Sequence, residues 1–507
     1  MPLFKCTKSL WIVFTLLISS SALAENERQI DVDSQVTTQH KTTIKGDSIK
    51  YSASIGTQPV WDDEGNAVAT LHYTYYQRTE VKDTASRPLV ISFNGGPGSA
   101  SVWMHIAYTG PRILSIDDEG YPIQPYGIES NPYSILDVAD IVFVNPVNTG
   151  FSRVLKDKEG KYPAKDKQKD MFFGINADIK YLAEWLNTFV TRNNRWRSPK
   201  YLVGESYGTT RVSGLALELQ ERQWMYINGV VLVSPTEIGI KREGPVEAAN
   251  RLPYFAATAW YHKKLAPEFQ AMTLEEFLPQ VEAFTLQTLL PAISKGGFIG
   301  ADEKQQVMQQ MARYAGISAK SIEQNNMDVS PDFFWKELLR DEGKTIGRLD
   351  SRYLGIDKTE AGVEVDYFPE LTSWLHSFTP AINYYVREEL NYKTDIKYNM
   401  FGQVHPWDNT NDNTGENLRQ AMAENPYLKV LIQSGYYDGA CNYFDAKYSM
   451  WQLDPSGKMQ DRLSFRTYES GHMMYLRHAD LKKSNDDLRE FIKAATPATG
   501  QPAIYKR

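Results

Sequence analysis

The sequence of 507 residues contains only two cysteines, Cys6 and Cys441. Cys6 lies in an N-terminal segment that has two lysines, the apolar run LWIVFTLLI and then small residues ending at Ala24. This order is typical of a cleavable signal peptide, so we expect residues 1–24 to be removed on export to the periplasm or the medium. Cys441 would then be the only cysteine, which excludes an internal disulfide and requires a core that is stable without one.

Other features are also missing from the sequence. The N-terminal apolar run is shorter than the ~20 residues that span a bilayer, and no later run is long enough, so we expect no membrane anchor. The net charge of −7, with no basic run, argues against a nucleic-acid partner. No Asn-x-Ser/Thr glycosylation site occurs, which favours a bacterial periplasmic or secreted protein over a eukaryotic lysosomal one. No histidine pair has metal-ligand spacing, so we expect no metal and no cofactor; nothing here fixes the oligomeric state.

Short apolar runs that alternate with helical patterns predict the fold class. Residues 25 to about 50 are polar and are interpreted as a leader to the fold. QPVWDDEGNAVATLHYTYYQRTE predicts a hairpin around an Asp-Glu-Gly-Asn turn. RPLVISF, ADIVFVN and KYLVGE have the Val- and Ile-rich composition of strands buried on both faces. The alternation predicts an α/β protein with a mainly parallel central sheet.

The alternation stops near Thr236 and gives way to a mostly helical stretch. Strand patterns resume at LKVLIQSG and LSFRTYES, followed by a closing helix. Because strands continue on both sides, an insertion explains the helical stretch better than two tandem domains. We therefore predict a core formed by residues 25–240 and 379–507, with residues 241–378 inserted as a helical cap.

The stretch YLVGESYGTT places Ser206 between two glycines, where a strand-like run meets a helix-like one. One interpretation is an ordinary turn that happens to contain a serine. The other is a nucleophile elbow, in which a strained strand-to-helix turn exposes the serine hydroxyl above the sheet. The second interpretation requires a base, an acid and an oxyanion hole elsewhere in the chain.

The order of the later strands supplies the base and the acid. In α/β-hydrolases the acid and then the histidine follow the serine, each at the carboxyl end of a strand. Of the two histidines after LKVLIQSG, His472 directly follows a strand, whereas His478 begins the closing helix. LIQSGYYDGACN offers Asp438 as its one carboxylate. A turn aspartate and a loop histidine are the alternatives, but the shared order favours a Ser206–Asp438–His472 triad.

A glycine loop directly after an early strand fits the remaining part of such a site. The residue after the nucleophile, Tyr207, would provide one oxyanion N–H, and a loop after an earlier strand would provide the other. VISFNGGPGSAS places Gly95, Gly96 and Gly98 in that position, where the missing side chains allow a ligand to approach the backbone.

Five segments in order, NGGPGSAS, VNPVNTGFSR, GESYG, SGYYDGACN and SGHMM, resemble the serine carboxypeptidase family. The resemblance implies an α/β-hydrolase fold with a helical cap, and a peptide substrate that loses C-terminal residues through an acyl-enzyme. It assigns the residues as follows: Ser206, Asp438 and His472 to the triad, Gly96 and Tyr207 to the oxyanion hole, Asn94 and Glu205 to binding of the substrate carboxylate, and Cys441 and Met473 to the substrate pocket.

The chain also departs from the family pattern. The glycine loop lacks the usual disulfide-bonded cysteine, and Ser92 replaces a tryptophan. Tyr108 occupies the position of a second glutamate that normally pairs with Glu205, which predicts a weaker preference for acidic pH. These departures bear on peptide selectivity, so an esterase, an acyltransferase or a non-catalytic binding protein on the same fold are the alternatives.

Overall fold

The structure is a computed structural model that describes residues 28–498, 500 and 502–505. The predicted signal peptide, residues 1–24, lies outside the described residues. No helix among the described residues has both the length and the apolar character needed to cross a membrane.

Among the described residues, ten strands form one large sheet, and four short strands form two small antiparallel pairs. The strands are β1 (Ser34–Ile44), β2 (Asp47–Trp61), β3 (Ala67–Arg78), β4 (Leu89–Phe93), β5 (Arg112–Leu114), β6 (Ile128–Ser130), β7 (Asp140–Val144), β8 (Arg153–Val154), β9 (Lys200–Glu205), β10 (Gly229–Val233), β11 (Thr345–Ile346), β12 (Leu354–Gly355), β13 (Lys429–Gly435) and β14 (Leu463–Tyr468).

The large sheet has the order β1-β2-β3-β7-β4-β9-β10-β13-β14, with β8 paired to β3. The pairs from β7 to β14 are all parallel, whereas β1, β2 and β3 form an antiparallel meander that joins the sheet at β7. The prediction of a mainly parallel α/β sheet is therefore confirmed, as is the hairpin, which is β2 and β3. Since parallel strands end at the same edge, the residues after β4, β9, β13 and β14 come together there.

The interpretation of residues 25–50 as a polar leader was wrong from Ser34 onwards. Ser34–Ile44 forms β1, which pairs with β2 along its whole length. Every second side chain of β1 is at least partly covered, and the others face solvent. The threonine-rich strand lies at the edge of the sheet, where burial is needed on one face only, so its sequence lacks the apolar runs of the central strands.

Sixteen α-helices accompany the strands in the described part of the chain. The helices are α1 (Val102–Ala107), α2 (Lys165–Phe172), α3 (Ile175–Arg192), α4 (Tyr207–Arg222), α5 (Pro245–Asn250), α6 (Leu252–Tyr261), α7 (Pro267–Gln270), α8 (Leu274–Phe284), α9 (Leu290–Ser294), α10 (Ala301–Ala315), α11 (Ala319–Gln324), α12 (Pro331–Glu337), α13 (Pro369–Tyr384), α14 (Thr414–Glu424), α15 (Tyr443–Leu453) and α16 (His478–Ala495).

Helices cover both faces of the sheet. The core on one face combines side chains of α3, α4, α14 and α15, and the core on the other combines those of α1, α13 and α16. Successive residues of a central strand alternate between these two cores: Leu202 faces the first, whereas Tyr201 and Val203 face the second. This two-sided burial explains why the central strands read as continuous apolar runs.

The helices α5 to α13 lie in the chain between β10 and β13, which are neighbours in the sheet. Most of these helices share a third hydrophobic cluster, to which the start of α15 also contributes. Helix α13 differs, because its side chains pack with those of α1 in the core on one face of the sheet. The connection from β12 to α13 therefore brings the helical stretch against the edge where the parallel strands end.

Candidate active site

Ser206 lies at a sharp turn between β9 and α4. Its backbone has φ of 57° and ψ of −130°, a conformation that non-glycine residues seldom adopt. The turn is held by a hydrogen bond from the Ser206 amide to the carbonyl of Val233, at the end of β10. This strained geometry at the carboxyl end of a central strand matches the nucleophile elbow.

Asp438 and His472 are brought together from the ends of β13 and β14. The Nδ1 atom of His472 lies 2.7 Å from Oδ2 of Asp438, and both side chains are buried. The other carboxylate oxygen accepts hydrogen bonds from the amides of Ala440 and Cys441. This arrangement orients the imidazole, and His472 and Ser206 line the same pocket.

The basicity of His472 follows from two opposed effects. Burial alone would lower the pKa of the imidazole, because a charged ring loses its hydration. The adjacent Asp438 carboxylate outweighs burial and holds the pKa of His472 well above its usual value. Asp438 therefore stabilises the protonated form of the ring.

The loop that contains His472 is fixed on both sides. The His472 amide donates to the carbonyl of Leu349, and the Ser234 hydroxyl donates to the carbonyl of His472. The first contact comes from the helical stretch and the second from the end of β10. The position of the imidazole therefore depends on a part of the chain that lies far from it in sequence.

The glycine loop after β4 lies directly over the elbow. A Cβ at Gly95 would be 2.5 Å from the backbone nitrogen of Tyr207, so a side chain there would collide with the turn. Gly96 has φ of +105°, which favours glycine, and it lines the pocket beside Ser206. The Tyr207 amide begins α4 and has no acceptor within the helix. The glycine loop and the start of α4 therefore both lie next to Ser206.

Arg211, one turn into α4, holds this loop in place and was not singled out from the sequence. Its guanidinium is fully buried, pairs with Asp178 at 2.7 Å and donates to the carbonyl of Asn94. Burial disfavours the charge, but Asp178 outweighs burial and raises the pKa of Arg211. A buried ion pair that also binds loop carbonyls rigidifies the loop. The sequence signal, an arginine five residues after the serine, indicates no such role by itself.

Glu205 and Asn94 are hydrogen-bonded to each other beneath the pocket. The side-chain Nδ2 of Asn94 donates to Oε1 of Glu205 at 2.7 Å. The side-chain Oδ1 of Asn94 accepts a hydrogen bond from the backbone amide of Met104. The second Glu205 oxygen accepts from the hydroxyl of Tyr475, three residues after His472. Burial raises the pKa of Glu205 to about 7, despite the opposing effects of His472 and these hydrogen bonds. At mildly acidic pH the carboxyl group is therefore mostly neutral.

The buried environment of Glu205 bears on the weaker preference for acidic pH that Tyr108 predicts. Tyr108 does not contact Glu205; its ring stacks on that of Tyr475 at 4.8 Å, and its hydroxyl donates to Gln433. No second carboxyl group is needed to raise the pKa of Glu205, because burial is the main cause. Burial therefore gives Glu205 an acid preference of its own, and a weaker preference than in relatives with a second glutamate stays a prediction. Tyr475 is the partner that sequence reasoning missed.

A pocket of about 240 Å³ joins these groups. Its polar part contains Asn94, Glu205, Ser206 and His472, together with the glycine loop. The remaining lining is largely apolar and comes from α1, from α13 and from the loops around them: Trp103, Leu349, Leu371, Trp374, Phe401 and Met473. Met473, which the family resemblance assigns to the substrate pocket, is among these residues. The lining of this pocket therefore combines a few polar groups with mainly apolar side chains, as is usual for a ligand site.

Cys441 lies beside the imidazole and is not among the residues that line this pocket. Its sulfur lies within 4.8 Å of the ligating atoms of Asp438 and His472. The thiol is free and partly exposed, and its hydrogen bond contributes to the raised pKa of His472. A group attached to this sulfur would therefore contact the imidazole.

Known proteins share parts of this chain and its fold. The chain aligns with serine carboxypeptidase-like 36 of Arabidopsis thaliana at 29% identity over 168 residues, which is 32% of this chain and 31% of the relative. It aligns with the retinoid-inducible serine carboxypeptidase of Homo sapiens at 31% identity over 150 residues, 29% of this chain and 28% of the relative. These alignments span about a third of the curated relatives. The structure of Kex1Δp, a prohormone-processing carboxypeptidase from Saccharomyces cerevisiae, is similar with a TM-score of 0.50 and 14% identity.

The structural similarity covers 88% of this chain and 91% of Kex1Δp, and it shows that the two proteins share the α/β-hydrolase fold. The family model of the serine carboxypeptidases matches residues 61–481, which include the elbow, the glycine loop and the segments of Asp438 and His472. The chain therefore belongs to the serine carboxypeptidase family.

Proposed function

We propose that this protein is an exported serine carboxypeptidase that removes C-terminal residues from peptides. One observation carries the proposal: a single pocket joins Ser206 and His472 to the buried Asn94–Glu205 pair. An esterase needs the first two groups but has no use for the second pair. An enzyme that recognises a terminal carboxylate beside the scissile bond needs both.

The catalytic steps follow from the arrangement of these groups. His472 accepts the proton of the Ser206 hydroxyl as the oxygen attacks the carbonyl carbon, and Asp438 stabilises the resulting imidazolium. The N–H groups of Gly96 and Tyr207 stabilise the negative oxygen of the tetrahedral intermediate. His472 then protonates the leaving amine, and water later releases the peptide from the acyl-enzyme in the reverse sequence of proton transfers.

The substrate's terminal carboxylate would bind at Asn94 and Glu205. An ionised Glu205 would repel this carboxylate, whereas a protonated Glu205 donates a hydrogen bond to it. The pKa of Glu205, raised to about 7 by burial, supports this second role at mildly acidic pH. The side-chain amide of Asn94 is the second donor to the substrate's carboxylate. Its orientation is fixed because its oxygen accepts a hydrogen bond from the backbone N–H of Met104.

We also assign roles to the N-terminal segment, to the helical stretch, and to Met473 and Cys441. We infer that residues 1–24 direct export and are removed, that residues 241–378 form a cap over the catalytic edge, and that Met473 and Cys441 flank the bound peptide. The bond from the His472 amide to Leu349 supports a cap that also positions the base.

The proposal is tested with an N-blocked dipeptide acid, its C-terminal amide and the corresponding ester. We expect the acid to be hydrolysed in preference to its amide, most strongly at mildly acidic pH where Glu205 is protonated, and we expect Ser206→Ala to abolish turnover of all three. Efficient cleavage of the ester without cleavage of the acid would refute the carboxypeptidase assignment in favour of an esterase. Transfer of the acyl group to added alcohols in preference to water would instead indicate an acyltransferase.

A further inference from the structure

The pocket beside Ser206 carries a positive charge that the catalytic chemistry does not use. Three of its lining residues are ionisable: Glu205, Arg348 and His472. Glu205 and His472 belong to the proposed machinery. Arg348 comes from the turn between β11 and β12 of the helical stretch, and it is the one permanent cation in the lining.

Arg348 forms no close ion pair with a carboxylate among the described residues. Its side chain is exposed and lies with its guanidinium 5.7 Å from the centre of the Phe368 ring. Of the nearby acids, Asp350 is bound to Arg352 at 2.6 Å. Glu370 is buried and its carboxylate accepts a hydrogen bond from the amide of Leu349. Burial raises the pKa of Glu370 to about 7, although the charge of Arg348 acts in the opposite direction.

The backbone of Arg348 is fixed relative to the catalytic groups. Its carbonyl accepts a hydrogen bond from the amide of Gly439, the residue after Asp438. The carbonyl of the next residue, Leu349, accepts the amide of His472. The Arg348 side chain therefore starts from a point that is tied to both catalytic loops, so its position relative to Ser206 is defined.

A C-terminal residue that is bound through its terminal carboxylate would place its side chain in the pocket that Arg348 lines. The side chain and the terminal carboxylate are attached to the same Cα. If Asn94 and Glu205 bind the carboxylate, the side chain must lie in the same pocket, against its apolar lining and Arg348. A side chain with a short apolar stem and an anionic end satisfies both surfaces.

We propose that Arg348 is a specificity-determining residue that selects glutamate and aspartate as the C-terminal residue to be released. This inference rests on the proposed carboxypeptidase function and names its substrate class. The shared chemistry is a carboxylate bound to a guanidinium. We assign the side-chain carboxylate of the C-terminal residue to Arg348, and the terminal carboxylate to Asn94 and Glu205.

The test compares blocked dipeptides that differ only in the C-terminal residue, which is Glu, Gln, Ala or Lys. For the wild type at pH 6 we expect kcat/KM for Glu to exceed that for Gln by about tenfold, as a charge-assisted hydrogen bond in a partly solvated pocket provides. Arg348→Gln should reduce this ratio to about one, and Arg348→Glu should invert the preference in favour of Lys.

Lys358→Gln is the matched control. Lys358 is an exposed cation of the same helical stretch, and its side chain does not line the pocket. Its replacement removes the same charge, so an unchanged Glu/Gln ratio would show that the effect of Arg348 is local. An equal loss in both variants would indicate a general electrostatic effect and would overturn the proposal.

The results separate failure of this inference from failure of the proposed function. If no dipeptide acid is hydrolysed, the carboxypeptidase assignment itself fails. If the dipeptide ending in Ala is hydrolysed but the Glu/Gln ratio stays near one, only the selectivity proposal fails. If Arg348→Gln reduces hydrolysis of the Ala and Glu substrates equally, Arg348 binds the terminal carboxylate, and the assignment to the side chain is wrong.

Discussion

The replacement of Glu205 by glutamine tests how the terminal carboxylate is recognised. Glutamine has the size and shape of a protonated glutamate, and its carbonyl oxygen can still accept the Asn94 amide, which now lies 2.7 Å from Oε1. Its NH2 group would take the place of Oε2 beside the Tyr475 hydroxyl. The substitution therefore keeps the hydrogen bond to Asn94, reverses the direction of the bond to Tyr475, which donates in the wild type, and removes the ability to ionise.

The expected pH dependence of kcat/KM follows from the pKa of Glu205, which burial raises to about 7. If only the protonated carboxyl binds the terminal carboxylate, kcat/KM for a dipeptide acid must fall as pH rises through that value. About half of the molecules carry the proton at pH 7, and the fraction falls about tenfold for each further pH unit. In Glu205→Gln this decline should be absent.

The assay is kcat/KM against pH for a blocked dipeptide acid and for its amide, in both enzymes. The ratio of acid to amide cancels the titration of His472, because both substrates need the same base. We expect the ratio to fall above pH 7 in the wild type and to stay constant in Glu205→Gln. A ratio with the same pH dependence in both enzymes would refute the role assigned to Glu205.

Three further predictions concern the neighbours of this carboxyl group and of the catalytic serine. Tyr475→Phe removes a hydrogen bond that stabilises ionised Glu205 and lowers its pKa, so the decline for the dipeptide acid should move to higher pH; a shift to lower pH would contradict this sign. Ser206→Ala and His472→Ala should each reduce kcat by at least ~10³-fold and the double variant by little more, since the triad acts as a unit; additive losses measured by steady-state kinetics would argue against a triad. A bulky mercurial should inhibit the wild type, whereas Cys441→Ser should be active and resistant, because the thiol lies beside the imidazole; full activity after stoichiometric modification would indicate an inert cysteine.

Sequence reasoning succeeded where local chemistry and chain order carry the information. The strands around Ser206 are buried on both faces, so their continuous apolar runs allowed the strands to be predicted from the sequence. The three catalytic candidates each follow a strand, and parallel strands that end at one edge must bring such residues together. The contact between His472 and Asp438 follows from that rule.

The contacts that sequence reasoning missed depend on the direction of side chains and on distant segments. Tyr475 reaches Glu205 across 270 residues of sequence, and its role depends on how the chain turns after His472. Arg348 enters the pocket because its turn is bonded to the loops after β13 and β14. Neither residue has a local pattern that distinguishes it from an ordinary tyrosine or surface arginine. The edge strand β1 was missed for a different reason, because its polar composition resembles that of a loop.

The central claim is that Ser206 mediates removal of single residues from a free C-terminus. Mass spectrometry of an N-blocked peptide incubated with the enzyme in H₂¹⁸O tests this claim most directly. We predict truncated peptides that carry the label in their new C-terminal carboxyl group, an unlabelled first free amino acid, slower cleavage of the C-terminally amidated peptide, and no products with Ser206→Ala. Internal fragments, equal cleavage of the amidated peptide, or wild-type product formation by Ser206→Ala would contradict the account.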